Sequence, residues 1–279
     1  MEPFTLVSPE TDGSPVAVLV TPEGDREPQV LMIEAWAREQ GLELVDLGTS
    51  AEPSGRATGC RLVIALGGDG TILRALQLAM AEHAAVLGVN FGHVGFLADI
   101  HGDDLGGALG RIARDEARIE ERTALVATLR ADPPHRVVAF NDVVIGRRPG
   151  FGTARLRVEV AGEPILSLTG DGVVIASPMG STAYTVGAGG PAVSPSLDAI
   201  VITPLATQGS PLRSLVVDGG DTVRIEVAPS SAPLSVELDG RMIEEMPTSG
   251  ALEVCAAPRK ARLVRTRPRS FYRDLANRL

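Results

Sequence analysis

A carboxylate set among glycines, Gly67-Gly68-Asp69-Gly70-Thr71, stands where the apolar run Leu62 to Leu66 gives way to a helical pattern beginning near Ile72. Glycines let backbone approach an anion closely, and a helix N-terminus at the carboxyl end of a strand presents unpaired N–H groups to it. Asp69 does not suit a purely anion-binding turn. A carboxylate repels phosphate unless it holds a metal or accepts a proton from an attacking hydroxyl. The same residues also suit a plain Gly-rich turn in which Asp69 caps the helix. Two other phosphate-binding patterns are absent: G-x-x-x-x-G-K-[ST] does not occur, the sole lysine being Lys260, and Leu73 replaces the third glycine of G-x-G-x-x-G.

Three further segments carry polar residues out of apolar runs. Asn90-Phe91-Gly92-His93-Val94-Gly95-Phe96-Leu97 follows a strand, with glycines that let a loop close over a ligand and Phe96 and Leu97 turning back into the core. His93 is the type of an acid or base, and equally a loop histidine with an ordinary hydrogen bond. Asn141-Asp142 interrupts an apolar strand from Val137 to Ile145; an amide beside a carboxylate suits a purine edge or ribose hydroxyls, or a strand-end turn. The densest segment is Gly170-Asp171-Gly172, the strand Val173 to Ala176, then Ser177-Pro178-Met179-Gly180-Ser181-Thr182-Ala183-Tyr184. Its hydroxyls and free N–H groups can bind phosphate or ribose, and Tyr184 can lie against a flat ring. Ser181 or Thr182 can also simply cap a helix. Ser181 is no hydrolytic nucleophile of the G-x-S-x-G kind, because Ala183 stands at the last position.

These segments need a scaffold, and the first third of the chain supplies an alternating one. Ser14 to Thr21 reads as a strand, Val30, Ile33 and Ala37 as a helix stopped by Gly41, and Leu42 to Leu47 as a strand. Leu62 to Leu66 is a strand covered on both faces; Ile72, Leu76, Ala79 and Met80 mark a helix, and Val86 to Asn90 a strand. Repeated βα units predict a parallel sheet flanked by helices. From about Thr123 a period of two takes over, as in Leu156, Val158, Val160 and in Leu234, Val236, Leu238, which predicts a layered, sandwich-like β domain. The expected organisation is an α/β domain over residues 1–122, a β-rich domain over 123–265, and a tail, 266–279, that returns to the first. Phe271 to Leu279 reads as a short helix, and Pro133-Pro134 as an exposed turn.

A net charge of −9 with scattered basic residues argues against a nucleic-acid partner. Apolar runs are cut well short of the roughly 18 residues that span a bilayer, so no membrane role is expected. The first twenty residues carry Glu2, Glu10 and Asp12 without a basic residue, unlike a secretory signal, and Cys60 and Cys255 stand alone, so a cytoplasmic setting is expected.

Taken in order, GGDGT, the N-x-G-x-V-G-F-L loop, the Asn-acidic pair and D-G-V-V-x-S-P-M-G-S-T-A-Y resemble the NAD kinase family. The likeness runs from the first strand to Phe271-Tyr272, and Val236 to Gly240 resembles the family's late V-D-G turn. GGDGT is shared with lipid kinases and phosphofructokinases of the same superfamily; the G-S-T-A-Y segment is more specific. The resemblance implies transfer of a phosphoryl group from ATP, or from polyphosphate, to the 2′-hydroxyl of the adenosine ribose of NAD. It makes Asp69 the base and puts Gly68, Gly70 and Thr71 near phosphates, with Asn90 and Phe96 beside them. Asn141 and Asp142 would hold the adenosine part, and Asp171, Ser181, Thr182, Ala183, Tyr184 and Asp239 would line the dinucleotide site between the lobes. Magnesium or another divalent ion, and assembly as a homodimer or homotetramer, are implied too. Asp142 stands where the family usually has Glu, Met179 where it has Thr or Ser, and Thr207-Gln208-Gly209-Ser210-Pro211 where relatives often carry Pro-His. The rival readings are a paralogous kinase acting on another nucleoside or a lipid hydroxyl, and a non-catalytic nucleotide sensor.

Overall fold

The computed structural model describes residues 2–6, 13–51, 56–92, 95–129, 135–208, 212–246 and 250–277. His93, Pro133-Pro134, Gly209-Ser210-Pro211, Glu10, Asp12 and Leu279 lie outside the described residues. The chain divides into two compact units, 1–121 with 261–279, and 122–260.

Unit 1 opens with strands β1 (Glu2–Pro3) and β2 (Val16–Val20), helix α1 (Glu27–Glu39), and strands β3 (Leu44–Thr49) and β4 (Leu62–Leu66). Helix α2 (Asp69–Met80), strands β5 (Ala85–Asn90) and β6 (Ile100–His101), helix α3 (Leu105–Ala113) and strand β7 (Arg118–Arg122) follow. β4 and β5 are buried at every position, which is why their residues form continuous apolar runs instead of an alternation. Helix α2 begins at Asp69, earlier than the apolar periodicity from Ile72 indicates, because Gly68 as N-cap already starts the turn.

Unit 2 contains β8 (Leu125–Leu129), β9 (His135–Ala139), β10 (Asp142–Arg147), β11 (Ala154–Val160), β12 (Glu163–Gly170) and β13 (Gly172–Ala176). The short helix α4 (Tyr184–Gly187) leads to β14 (Ala199–Leu205), β15 (Leu215–Asp218), β16 (Val223–Val227), β17 (Leu234–Leu238), β18 (Arg241–Met246) and β19 (Ala251–Ala256). The chain then returns to unit 1 as β20 (Ala261–Arg265) and helix α5 (Phe271–Ala276). The return begins at Ala261, ahead of the boundary expected at 266, since β20 pairs in parallel with β5.

The sheet of unit 1 runs β1-β7-β20-β5-β4-β2-β3, with β6 also beside β5. It is parallel where the βα units build it and antiparallel where β1 meets β7, so the sheet is mixed. Unit 2 is two six-stranded sheets, β15-β14-β13-β10-β17-β18 and β12-β11-β16-β19-β8-β9. Their strand pairs are antiparallel and their inner faces share one apolar core, from Leu125 and Leu156 on one sheet to Ile145 and Val236 on the other. That is the expected layered β architecture. The apolar run from Val137 to Ile145 is not one strand, however. β9 and β10 lie in different sheets, and Phe140-Asn141 is where the chain crosses; buried Phe140 keeps the run apolar through the break.

Candidate active site

In unit 1 the chain leaves β4 at Gly67, where a Cβ would stand 2.4 Å from Thr71 Oγ1 and 2.9 Å from Thr21 Cβ. Packing therefore explains that glycine. Gly68 and Gly70 are different: a Cβ on either meets nothing within 4 Å, and neither has a positive φ. Glycine is also a poor helix former, by about 1 kcal/mol against alanine, yet Gly70 sits in the first turn of α2. Nothing described in unit 1 requires glycine at these positions; close approach of a ligand would.

Asp69, the first residue of α2, turns its carboxylate to the loop after β5. Oδ2 accepts from the Phe96 N–H at 3.0 Å and Oδ1 from the Leu97 N–H at 3.3 Å. Gly95 is packed against that carboxylate so closely that a Cβ would lie 1.8 Å from Oδ1. The loop glycine is thus present for Asp69. Two N–H bonds leave lone pairs on the carboxylate for a third donor. The other residues singled out in this region turn inward: Asn90 Oδ1 accepts from the Gly92 N–H at 2.9 Å, the Phe96 ring packs on Phe271 at 6.2 Å, and Thr71 is buried with Oγ1 3.4 Å from Ser50 Oγ.

In unit 2 the crossing between the sheets is organised by a residue far along the chain. Asp239 and Gly240 form the tight turn between β17 and β18, at φ +49° and +78°, the left-handed pair that a two-residue hairpin needs. The Asp239 carboxylate accepts N–H groups from Phe140 at 3.0 Å, Asn141 at 2.7 Å and Asp142 at 3.3 Å. Ser177, wholly buried, donates to the Phe140 carbonyl at 2.6 Å and accepts from the Gly180 N–H at 3.1 Å. Gly180 lies flat on the crossing, and a Cβ there would come within 1.9 Å of the Asn141 carbonyl oxygen. The Tyr184 N–H donates to the Asp142 carboxyl, while the Tyr184 side chain stays 48 % exposed and open to a partner.

Asn141, Asp142, Gly180, Tyr184 and Asp239 therefore gather at one end of β10. Asp171 does not join them: Asp142 faces Ala176 and Gly146 faces Gly172, which puts Asp171 at the other end of the strand, roughly 17 Å away at about 3.4 Å per residue. There it pairs with Arg147 at 2.5 Å. Ser181 is wholly buried, donating to the Pro178 carbonyl at 2.7 Å and accepting from the Val193 N–H at 2.8 Å, so its hydroxyl closes the loop. Thr182, in the 3-10 turn Gly180–Thr182, has its hydroxyl 3.3 Å from the Met179 carbonyl, and Ala183 joins that turn to α4.

Comparison with known proteins bears on both units. Residues 44–117 match the family model of the ATP-NAD kinase N-terminal domain, and residues 140–266 that of the ATP-NAD kinase C-terminal domain. The NAD kinase of Rhodococcus erythropolis is 35% identical over 84% of this chain and 75% of its own length, and that of Heliobacterium modesticaldum 37% over 78% of each. The chain belongs to the NAD kinase family. It is a phosphotransferase with an alcohol acceptor. The match to the NAD kinase of Rhodococcus opacus, at 39% identity, spans 75% of this chain and 66% of that protein. The fold is that of yeast NADH kinase, solved with NADH, at a TM-score of 0.80 and 22% identity over 95% of this chain and 87% of that one. The Archaeoglobus fulgidus NAD kinase solved with ATP gives 0.75 at 22% identity, over 94% and 97%.

Asp142 replaces the glutamate that the resemblance to NAD kinases led us to expect, and its surroundings are unusual for a carboxylate. It is 4 % exposed, and burial, with the charges of Asp239 and Glu237 beside it, raises its pKa from 3.8 to about 7. Burial raises Asp239 too, against the lowering effect of its three N–H donors. A carboxyl whose pKa is higher in the folded state stabilises that state fully below its unfolded value, and this contribution is lost as pH rises through about 7. The Asp142→Asn variant should therefore be less sensitive than wild type to a rise from pH 4 to pH 8, with the difference confined to that window. Melting curves across the range test it; parallel curves for the two proteins would show that Asp142 is ionised throughout.

Proposed function

We propose that this chain transfers the γ-phosphoryl group of ATP to the 2′-hydroxyl of the adenosine ribose of NAD, giving NADP, with Asp69 as the base. The observation that carries the reading is the Asp69 carboxylate, fixed by two loop N–H groups between two glycines that have open space above them. Phosphoryl transfer needs little covalent help from protein, so holding the hydroxyl in line and accepting its proton is what this arrangement can supply. Within unit 2, Tyr184 and the Asn141-Asp142 crossing would hold the adenosine part of a nucleotide. Gly68→Ala should lower the melting midpoint by only a few degrees, the cost of alanine at an N-cap, because its Cβ meets nothing within 4 Å, while KM for a nucleotide rises about tenfold or more, some 1.4 kcal/mol of binding. An unchanged KM would mean that no ligand approaches Gly68.

Among the described residues no three His, Cys, Asp or Glu side chains gather as a metal cage. Magnesium or a similar divalent ion would be carried by the triphosphate, whose oxygens it prefers and whose charge it neutralises. Among the described residues no helix is long and apolar enough to cross a membrane. A cytoplasmic setting is supported by the two isolated cysteines, and a homo-oligomeric state by the family likeness.

The test is product analysis by mass spectrometry with NAD, NADH and simple nucleosides as acceptors and ATP or polyphosphate as donor, with and without magnesium. NADP from NAD and ATP is the expected product. Tight NAD binding with no phosphorylated product under any donor or metal would make the chain a nucleotide sensor instead.

A further inference from the structure

The loop that holds Asp69 is itself held from behind by the segment that returns to unit 1. The Arg269 guanidinium donates through one terminal nitrogen to the Gly95 carbonyl at 2.7 Å, through the other to the Ala98 carbonyl, and through Nε to Asp274 at 2.6 Å. Arg265, 3 % exposed, donates to the Leu97 carbonyl at 2.8 Å and pairs with Glu120 at 2.5 Å. Thr266 binds the Asp99 carboxylate through both its N–H, at 3.0 Å, and its hydroxyl, at 2.6 Å. Phe271 packs on Phe96. Every contact lies within unit 1.

One detail ties this clamp to the chemistry. The Gly95 carbonyl and the Phe96 N–H belong to the same peptide group, and in a trans peptide they point in opposite directions within one rigid plane. Arg269 grips one end of that plane and the Asp69 carboxylate takes the other. The guanidinium charge polarises the peptide toward Asp69, and rotation of the plane would break both bonds together. We infer that Arg269 is a positioning residue for phosphoryl transfer, acting through the 95–96 peptide to hold the Asp69 carboxylate in its reactive orientation. The inference rests on the reading of Asp69 as the base. Arg269 needs no contact with either substrate for this role, so it affects kcat and leaves KM alone. Lysine keeps the charge and can donate to carbonyls, but it lacks the planar fork with which Arg269 reaches Gly95, Ala98 and Asp274 at once.

The experiment is steady-state kinetics on the full chain for Arg269→Gln, Arg269→Lys, Asp69→Asn and the Asp69→Asn/Arg269→Gln pair, with melting midpoints for each. Arg269→Gln is expected to lower kcat by about 10- to 100-fold, with KM for NAD and ATP within about twofold. Arg269→Lys should recover part of that loss. In the Asp69→Asn background, Arg269→Gln should cost nothing further, because the group it positions no longer takes the proton. A fold-loss that multiplies with that of Asp69→Asn, or a change confined to the melting midpoint, would overturn the inference and leave Arg269 a structural residue. If Asp69→Asn alone turns over near normally, the base reading fails first and takes the inference with it. If Asp69→Asn is slow and Arg269→Gln is not, only the inference fails.

Discussion

Asp69→Asn is expected to slow phosphoryl transfer by roughly 10²- to 10⁴-fold while the KM for NAD moves little. The amide is nearly the same size as the carboxylate and keeps one oxygen to accept an N–H, so most of the loop geometry around Gly95 survives. What it lacks is the capacity to take a proton. The carboxylate meets the Phe96 and Leu97 N–H groups with its two oxygens separately, and Asn can satisfy only one of them. Some loosening of the loop is therefore part of the expected cost, and it should appear as a small fall in melting midpoint. Single-turnover formation of NADP, followed by mass spectrometry, separates the two effects. A rate constant close to wild type would remove Asp69 from the proton transfer.

Asp239→Ala should have the largest effect on stability. The substitution leaves three backbone N–H groups at the crossing without their acceptor, each worth about 1–3 kcal/mol when buried and unpaired. It also forces a Cβ-bearing residue without a polar side chain to hold φ +49°, costing about a further 1 kcal/mol. Against a total stability of roughly 5–15 kcal/mol the sum is severe, and a fall in melting midpoint of about 10 °C or more is expected. Asp239→Asn, which tolerates the left-handed conformation and retains one acceptor oxygen, should lie between. A scan showing Asp239→Ala as stable as wild type would mean that the crossing holds its shape without the carboxylate.

These two residues show different degrees of legibility. Asp69 was visible because its neighbours in sequence, glycines at a strand-to-helix junction, are also its neighbours in space. Asp239 announced itself only as part of a turn. Its hydrogen-bond partners, Phe140 to Asp142, are remote in the chain and by pattern fall in the middle of one strand, since buried Phe140 maintains the apolar pattern across the change of sheet. The βα order of unit 1 and the period-two strands of unit 2 follow from local patterning and were readable. The antiparallel edge β1–β7 and the insertion of β20 beside β5 were not, because short strands of two to five residues carry little periodicity and their pairing is decided by long-range contacts. Asp171 lies in a motif that reads as one unit, yet a whole strand length separates it from Asp142. Arg269 gave no signal among the several arginines of its segment; only the peptide plane it grips distinguishes it.

The place of β20 in the sheet has a consequence for how the molecule is made. It sits between β7 and β5, so a nascent chain that has emerged as far as Lys260 already contains all of unit 2 but still has a gap in its first sheet. Synthesis starts unit 1 first and completes it second. In the interval the facing edges of β5 and β7 are open to stray pairing, a hazard that ends when Ala261–Arg265 clears the ribosome and slots in.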